Sequence, residues 1–261
     1  MADSPVHKAL AILRALASSS RPVGVQQIAS DVGLNVSTVH RLLQMLVKDG
    51  MASYDATSRT YAIGTECVRF ATMVLGSHSL IGRVRPYLAE LASDVEETCA
   101  FTLYEPRTYS KIVALVERGS HALGYEFDVG IKDGIHAGAS GKPILAFLPD
   151  DEIDKVLRAK LSKLTEYTVS DPAQLRKQIA QIRKLGYATS KGERIAGAGV
   201  GIGAPVFTSG DRVIGSIVVT VPAFRWKAKR LPRIAKMVMA TARDVSLLFS
   251  QTPPSIGDGR D

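Results

Sequence analysis

Between Ser37 and Gln44 the chain groups Ser37, Thr38, His40, Arg41 and Gln44. Hydroxyl, imidazole, guanidinium and amide groups are the ones that hydrogen-bond base edges and phosphate oxygens. The same run carries Val39, Leu42, Leu43 and Leu46 at spacings of three and four, the buried stripe of a helix. The polar set therefore stands largely on the opposite side, with Lys48 late enough to meet only backbone phosphate or solvent. Upstream, a helix beginning at Val25 with Gly24 as N-cap turns Ile28 and Ala29 inward, and Ala29 is small enough for a second helix to cross closely. Gly33 falls where the chain must turn sharply and where a left-handed backbone costs glycine nothing. This is the pattern of a helix-turn-helix whose second helix fits a DNA major groove. An ordinary helical hairpin would share the apolar stripe; the small Ala29, the turning Gly33 and the register of the polar face favour nucleic acid.

A second group of residues could handle a small molecule. Ser140-Gly141-Lys142 resembles the end of a phosphate loop, but His136 stands where the earlier glycine belongs and Pro143 replaces the magnesium-holding hydroxyl. What remains is a helix start around Gly138 to Gly141, whose outward N–H groups and partial positive charge suit a carboxylate. Pro143 is expected in the first turn, where a missing N–H costs little. The glycine stretch 197–204 matches G-x-G-x-x-A at Gly199, Gly201 and Ala204. A polar KGER segment precedes it and a strand-like APVF follows, the wrong context for a dinucleotide fold, so it is read as backbone that a ligand can approach. Glu193 is a lone acid beside it. His7, His40, His78, His121 and His136 are scattered, and neither CxxC, HExxH nor G-x-S-x-G occurs, so neither a metal site, a cofactor nor a catalytic residue is expected.

The elements that must hold these groups follow in order. Ser4 caps and Pro5 opens a first helix with Val6, Ala9, Leu10, Leu13, Leu16 and Ala17 as its apolar stripe. Met51–Tyr54 and Arg59–Ile63 read as a hairpin about the turn 55–58, a wing whose Arg59 is placed for a phosphate or the minor groove. A linker helix runs from Thr65 to about Ser79, its Val68, Ala71 and Leu75 serving either core or a dimer seam. An amphipathic helix from Leu80 to Val95 opens the second part. Strands are expected at Cys99–Tyr104, Lys111–Val116, Leu123–Phe127, Ala204–Phe207 and Val213–Val221, the last two around the turn 209–211. Helices are expected at 139–147, 151–157, 172–185 and 231–249, with loop over 128–136 and a disordered tail over 251–261. The expected fold is α+β: a winged helix-turn-helix domain (1–64), a linker helix (65–79), and a larger domain (80–250) built as a sheet covered by helices.

The 261 residues leave room for that second domain, and 46% hydrophobic residues suffice for a core. A net charge of +8 and a pI near 9.5 favour an anionic partner, nucleic acid first. Cys67 and Cys99 sit in apolar surroundings and read as small core residues rather than a disulfide. The first ten residues lack the apolar core of a signal peptide, and no run of about 18 apolar residues occurs, so a cytoplasmic protein without membrane contact is expected.

Taken together the chain resembles the isocitrate-lyase-regulator (IclR) family of bacterial transcription factors from about Val6 to Phe249. In the first part the resemblance rests on Ala29, Gly33-Leu34 and Ser37-Thr38-Val39-His40-Arg41-Leu42-Leu43. In the second it rests on HAGASGKPILAFLP (136–149), GYATSKGER (186–194) and IGAPVF (202–207), which are the more specific. The resemblance implies a winged-helix DNA-binding domain and an effector domain with a curved antiparallel sheet flanked by helices, similar to GAF and PAS sensor folds. It also implies dimers or tetramers, near-palindromic double-stranded operators, and small organic acids as effectors. Carried over residue by residue, the effector site would comprise Gly138, Ala139, Ser140, Glu193, Gly201, Ile202, Val218 and Thr220. The chain is one residue longer than the family pattern between Glu193 and Pro205, which bears on the correspondence at Gly201 and Ile202. Ser216, Val218 and Thr220 would form a small, mostly uncharged wall suited to a modest acid.

The reading that combines these features is a ligand-responsive regulator binding operator DNA through Ser37, Thr38, His40, Arg41, Gln44 and Arg59. Its rivals are a DNA-binding protein whose second domain only assembles the oligomer, and an enzyme acting on a small carboxylate, for which no nucleophile–base pair is found.

Overall fold

A computed structural model describes residues 4–76, 79, 81–209 and 211–250. The expected disordered tail at 251–261, the linker-helix end at Ser77 and His78, Leu80, and Gly210 of the expected turn lie outside the described residues. The chain divides into two compact units after residue 79.

The first unit consists of α1 (Pro5–Ser18), α2 (Val25–Val32), α3 (Val36–Lys48), the hairpin β1 (Ala52–Asp55) and β2 (Thr60–Ile63), and α4 (Thr65–Leu75). Gly33 ends α2 in the left-handed region, φ 66°, and the Leu34 N–H returns to the Ala29 carbonyl at 3.0 Å. Two residues later Asn35 caps α3, its side chain accepting from the Thr38 N–H at 2.8 Å. The tight turn is thus closed from both sides by local chemistry. Val39, Leu42, Leu43 and Leu46 are buried with Ile28, Ala29, Ala52 and Tyr61. The stripe expected on α1 is corrected in part: Val6 and Leu10 are exposed, and Ile12, fully buried, joins Leu16 in the core. The wing register pairs Tyr54 with Tyr61, rings 4.7 Å apart, and Val23 bridges the outer side of Tyr61. None of the residues of α4 is buried, so its Val68, Phe70, Met73 and Val74 face solvent.

The second unit carries α5 (Arg85–Val95), β3 (Thr98–Glu105), β4 (Ser110–Glu117), β5 (Lys132–Gly134), α6 (Gly138–Ala146), α7 (Asp150–Arg158), α8 (Pro172–Leu185), β6 (Ala188–Lys191), β7 (Gly199–Thr208), β8 (Arg212–Pro222) and α9 (Leu231–Ser250). The strands form one antiparallel sheet in the order β5-β4-β3-β8-β7-β6. Irregularities at Phe101/Thr102 and Val206/Phe207 add the local twist that curls such a sheet. Successive residues point to opposite faces. Accordingly Ala100 packs with Ala139 of α6, while Phe101 meets Phe249 of α9, ring centroids 5.9 Å apart. The sheet is therefore sandwiched, α6 on one face and α9 on the other.

Two strand expectations are corrected. Leu123–Phe127 is irregular; Leu123 is 73% exposed, and the edge position beside β4 is taken by β5, drawn from the segment read as loop. The strand expected to begin at Ala204 begins at Gly199, so the glycine stretch is itself a strand. Cys99 is buried and Cys67 partly so, both as free thiols. Among the described residues no helix is long and apolar enough to cross a membrane.

Candidate functional site

In the first unit, α3 presents Ser37, His40, Arg41 and Gln44 as exposed residues, Thr38 as a half-buried one, and Arg59 exposed in the wing. The capping Asn35 does more than end the turn: its carbonyl oxygen also accepts from the Ser37 hydroxyl at 3.1 Å, so the start of the helix is held from its own side chains. Arg59 adopts φ 55° at the wing tip, next to a turn in which the Asp55 carboxylate accepts from the Thr57 N–H and the Ser58 hydroxyl, each at 2.8 Å. Those bonds, the Ser58 hydroxyl foremost, hold the Asp55 carboxyl below its ordinary range.

In the second unit the start of α6 meets the strands β6, β7 and β8. Glycines make this possible. A Cβ at Gly201 would stand 2.9 Å from the Ala139 Cβ, and one at Gly203 would stand 2.0 Å from the Ala139 carbonyl oxygen. Pro143 contributes as well. It lies inside α6 rather than in its first turn, a correction, and lacking an N–H it leaves that same Ala139 carbonyl without its helical donor. Ser216 donates to the Ser140 carbonyl at 2.7 Å and bonds the Thr102 hydroxyl at 2.8 Å, pinning α6 to the sheet.

Two of the N–H groups expected to receive a ligand carboxylate, those of Gly138 and Ala139, are already engaged. Glu193 reaches back 55 residues to accept from the Gly138 N–H at 3.0 Å, and the Ser190 hydroxyl accepts from the Ala139 N–H at 3.0 Å. The other oxygen of Glu193 pairs with Lys142 at 2.5 Å, and Lys142 also donates to Gln178 at 3.2 Å. Both members of the pair are buried. The Thr168 hydroxyl donates to the Glu193 carbonyl at 2.6 Å and fixes its backbone. A single lysine in an otherwise apolar helix was the legible sign that a buried acid must face it.

Beside this pair opens a cavity of about 380 Å³, its mouth included. Ala139, Ser140, Glu193, Gly201, Val218 and Thr220 line it. Gly138 stands behind Glu193 rather than on the wall. Ile202 is fully buried and, one residue from Gly201, alternates to the other face of β7. Ser216 is buried beneath α6 and lies outside the wall. Residues not expected from the sequence also line it: Tyr125 and Phe127 from the irregular segment, rings edge-to-face at 4.7 Å, with Ser190, Arg194, Ile195 and Ala198 among others. Tyr125 and Phe127 could not be found from pattern, because they reach the cavity from a loop rather than from a strand face.

One corner of the cavity is charged. Arg194 pairs with Asp133 at 2.5 Å, and Lys111, 1% exposed, approaches the same oxygen at 3.5 Å. Burial, and then the Arg194 charge, push Lys111 down to about 8, against the pull of Asp133. Burial likewise pushes the Tyr125 hydroxyl up, opposed by Arg194. The sign of the lysine effect is definite. A lysine whose folded value lies below its unfolded value of 10.5 releases its proton first in the folded state, so it favours folding increasingly as pH rises from about 8 to 10.5. The stability of the wild type relative to Lys111→Met is expected to rise by up to about 3 kcal/mol across that window. Paired urea melts at steps of pH would read it, and a constant difference would show an ordinary lysine.

Residues 5–56 match the IclR helix-turn-helix domain, and residues 72–247 match the bacterial transcriptional regulator IclR C-terminal domain. The chain is 30% identical over 248 residues to the HTH-type transcriptional regulator BhcR of Paracoccus denitrificans, covering 94% of this chain and 86% of that protein. It is 27% identical over 243 residues to the transcriptional repressor IclR of Escherichia coli, covering 93% and 88%. The crystal structure of an IclR transcriptional regulator from Alicyclobacillus acidocaldarius shares the fold at a TM-score of 0.87 and 22% identity, covering 94% and 98% of the two chains. With helix-turn-helix and C-terminal effector-binding domain both matched, the chain belongs to the IclR family of bacterial transcriptional regulators.

Proposed function

We propose that this regulator reads a double-stranded operator with Ser37, Thr38, His40, Arg41 and Gln44 in the major groove and Arg59 of the wing on a phosphate or in the minor groove, and that a small organic acid in the α6 cavity sets its affinity for that operator. The observation that carries the DNA assignment is the division of α3: four apolar residues buried on one side, with Ser37, His40, Arg41 and Gln44 exposed on the other. The protein acts as a homodimer or homotetramer, since one such helix reads only half of a near-palindrome; the exposed Val68, Phe70, Met73 and Val74 of α4 support a self-association surface. The acid reading is supported by a cavity of modest size with a cationic corner and small walls.

The test begins by selecting an operator from random duplex DNA with the full chain. Arg41→Ala is then expected to weaken that operator about 10- to 100-fold while leaving the melting temperature unchanged, and to lower the salt slope by about 1 if the contact is to phosphate. Unaltered affinity would remove Arg41 and with it the proposed reading face.

A further inference from the structure

Arg194, a residue of the cavity wall, carries a buried polar atom whose bonding is incomplete. Arg194 Nη2 is committed to Asp133, but Nη1 is fully buried and is the side-chain nitrogen or oxygen that lacks a hydrogen-bond partner among the described, non-exposed residues. A guanidinium N–H shut away from solvent without an acceptor is costly, and a ligand oxygen would relieve that cost. At the other anion-favouring feature of the site, the start of α6, the first two N–H groups are taken by Glu193 and Ser190.

The charges point the same way. Glu193 and Lys142 cancel each other. Asp133 stands between two cations, Arg194 and Lys111, so these three groups together keep one positive charge, with the exposed Asp128 acting from the loop side. Away from the corner the wall is apolar at Phe127 and Val218, while the Tyr125 hydroxyl lies beside Arg194 and its ring packs on Phe127.

We infer that Arg194 is the anchor of the effector's carboxylate, and that the effector is a monocarboxylate whose apolar body lies against Tyr125, Phe127 and Val218. This rests on the reading of the cavity as an organic-acid site. It differs from that reading in placing the acid group at Arg194 rather than at the start of α6. Arginine suits the task, because its planar fork can hold Asp133 with one nitrogen and a ligand oxygen with the other.

Thermal shift with the full chain tests it, using butyrate and benzoate as probes beside butyramide and benzamide, which keep the shape and lose the charge, and succinate as a dianion. At least one monocarboxylate is expected to raise the melting temperature, with its amide and succinate each at least tenfold weaker. Arg194→Met is expected to weaken that acid at least tenfold, and Arg194→Lys, which keeps the charge without the fork, by a smaller factor. If Arg194→Met does not fold, the acid–amide comparison on the wild type and the Lys variant still decides. Acid binding that Arg194→Met leaves untouched would overturn the anchor and leave the organic-acid cavity standing. Equal binding of acid and amide would overturn carboxylate recognition. Equal or tighter binding of succinate would overturn the single-charge argument. No shift with any acid at tens of millimolar would overturn both the anchor and the organic-acid reading.

Discussion

Glu193→Gln lowers the stability of the second unit by about 3–5 kcal/mol, because it leaves the buried Lys142 ammonium without its counter-charge and offers one amide oxygen where Lys142 and the Gly138 N–H each had a carboxylate oxygen. The reverse deletion, Lys142→Met, costs less. The carboxylate it strands still accepts from the Gly138 N–H at 3.0 Å, at a helix start whose partial charge favours an anion. The double variant Glu193→Gln with Lys142→Met recovers much of the loss, since the charge that made each single change expensive is gone. Urea melts of the four proteins supply the cycle. Equal losses from the two single changes would show that the α6 start contributes nothing, and additive losses would show that the two side chains act separately. The same pair makes Glu193 a poor direct ligand for an anionic effector: its oxygens are engaged by Lys142 and Gly138, and what it presents to the cavity is a neutralised, fixed wall.

Gly203→Ala is the second large effect. Its Cβ would stand 2.0 Å from the Ala139 carbonyl oxygen and 3.2 Å from that of Ile217, both backbone atoms, so no rotamer change relieves the clash. Either α6 lifts from β7 or β7 shifts within its sheet, and a cost of about 3 kcal/mol, at the upper end for overpacking, is expected. Any ligand affinity should fall with it, because Ala139 and Gly201 line the cavity at this crossing. Gly197→Ala is the control. Gly197 has φ 72° with nothing within 4 Å of an added Cβ, so only backbone strain of about 1–2 kcal/mol is paid. If Gly203→Ala melts no lower than Gly197→Ala, the close approach of α6 to the strand is wrong.

The first unit was legible almost throughout, and the reason is local. Gly33 ends α2 by its own φ of 66°, and the bond that closes the turn joins Leu34 to Ala29. The stripe Val39, Leu42, Leu43 and Leu46 follows from the period of the helix. On α1 helical spacing alone does not separate core from surface: Val6 and Leu10 keep it and are exposed, while Ile12 and Leu16 are buried with Ala9 and Leu13 packed partly against them. The hairpin was legible because its register is set across a short turn.

The second unit was legible as a set of elements and opaque as a site. β5 and β6, of three and four residues, are too short to show an alternating pattern. The glycine stretch has no side chains from which to read one, yet it forms β7 because its lack of side chains is what lets α6 lie against it. By itself the sequence determined the helix-turn-helix, the polar face of α3, the α+β class, and the helix start at 138–141, all of which follow from neighbours a few residues apart. Only the tertiary structure decided what that helix start binds. Glu193 and Ser190 arrive there from more than fifty residues away, Asp133 joins Lys111 to Arg194 across strands, and Tyr125 and Phe127 enter from a loop. Charges and rings that meet at such separations are brought together by the folding of the sheet, and spacing along the chain carries no record of it.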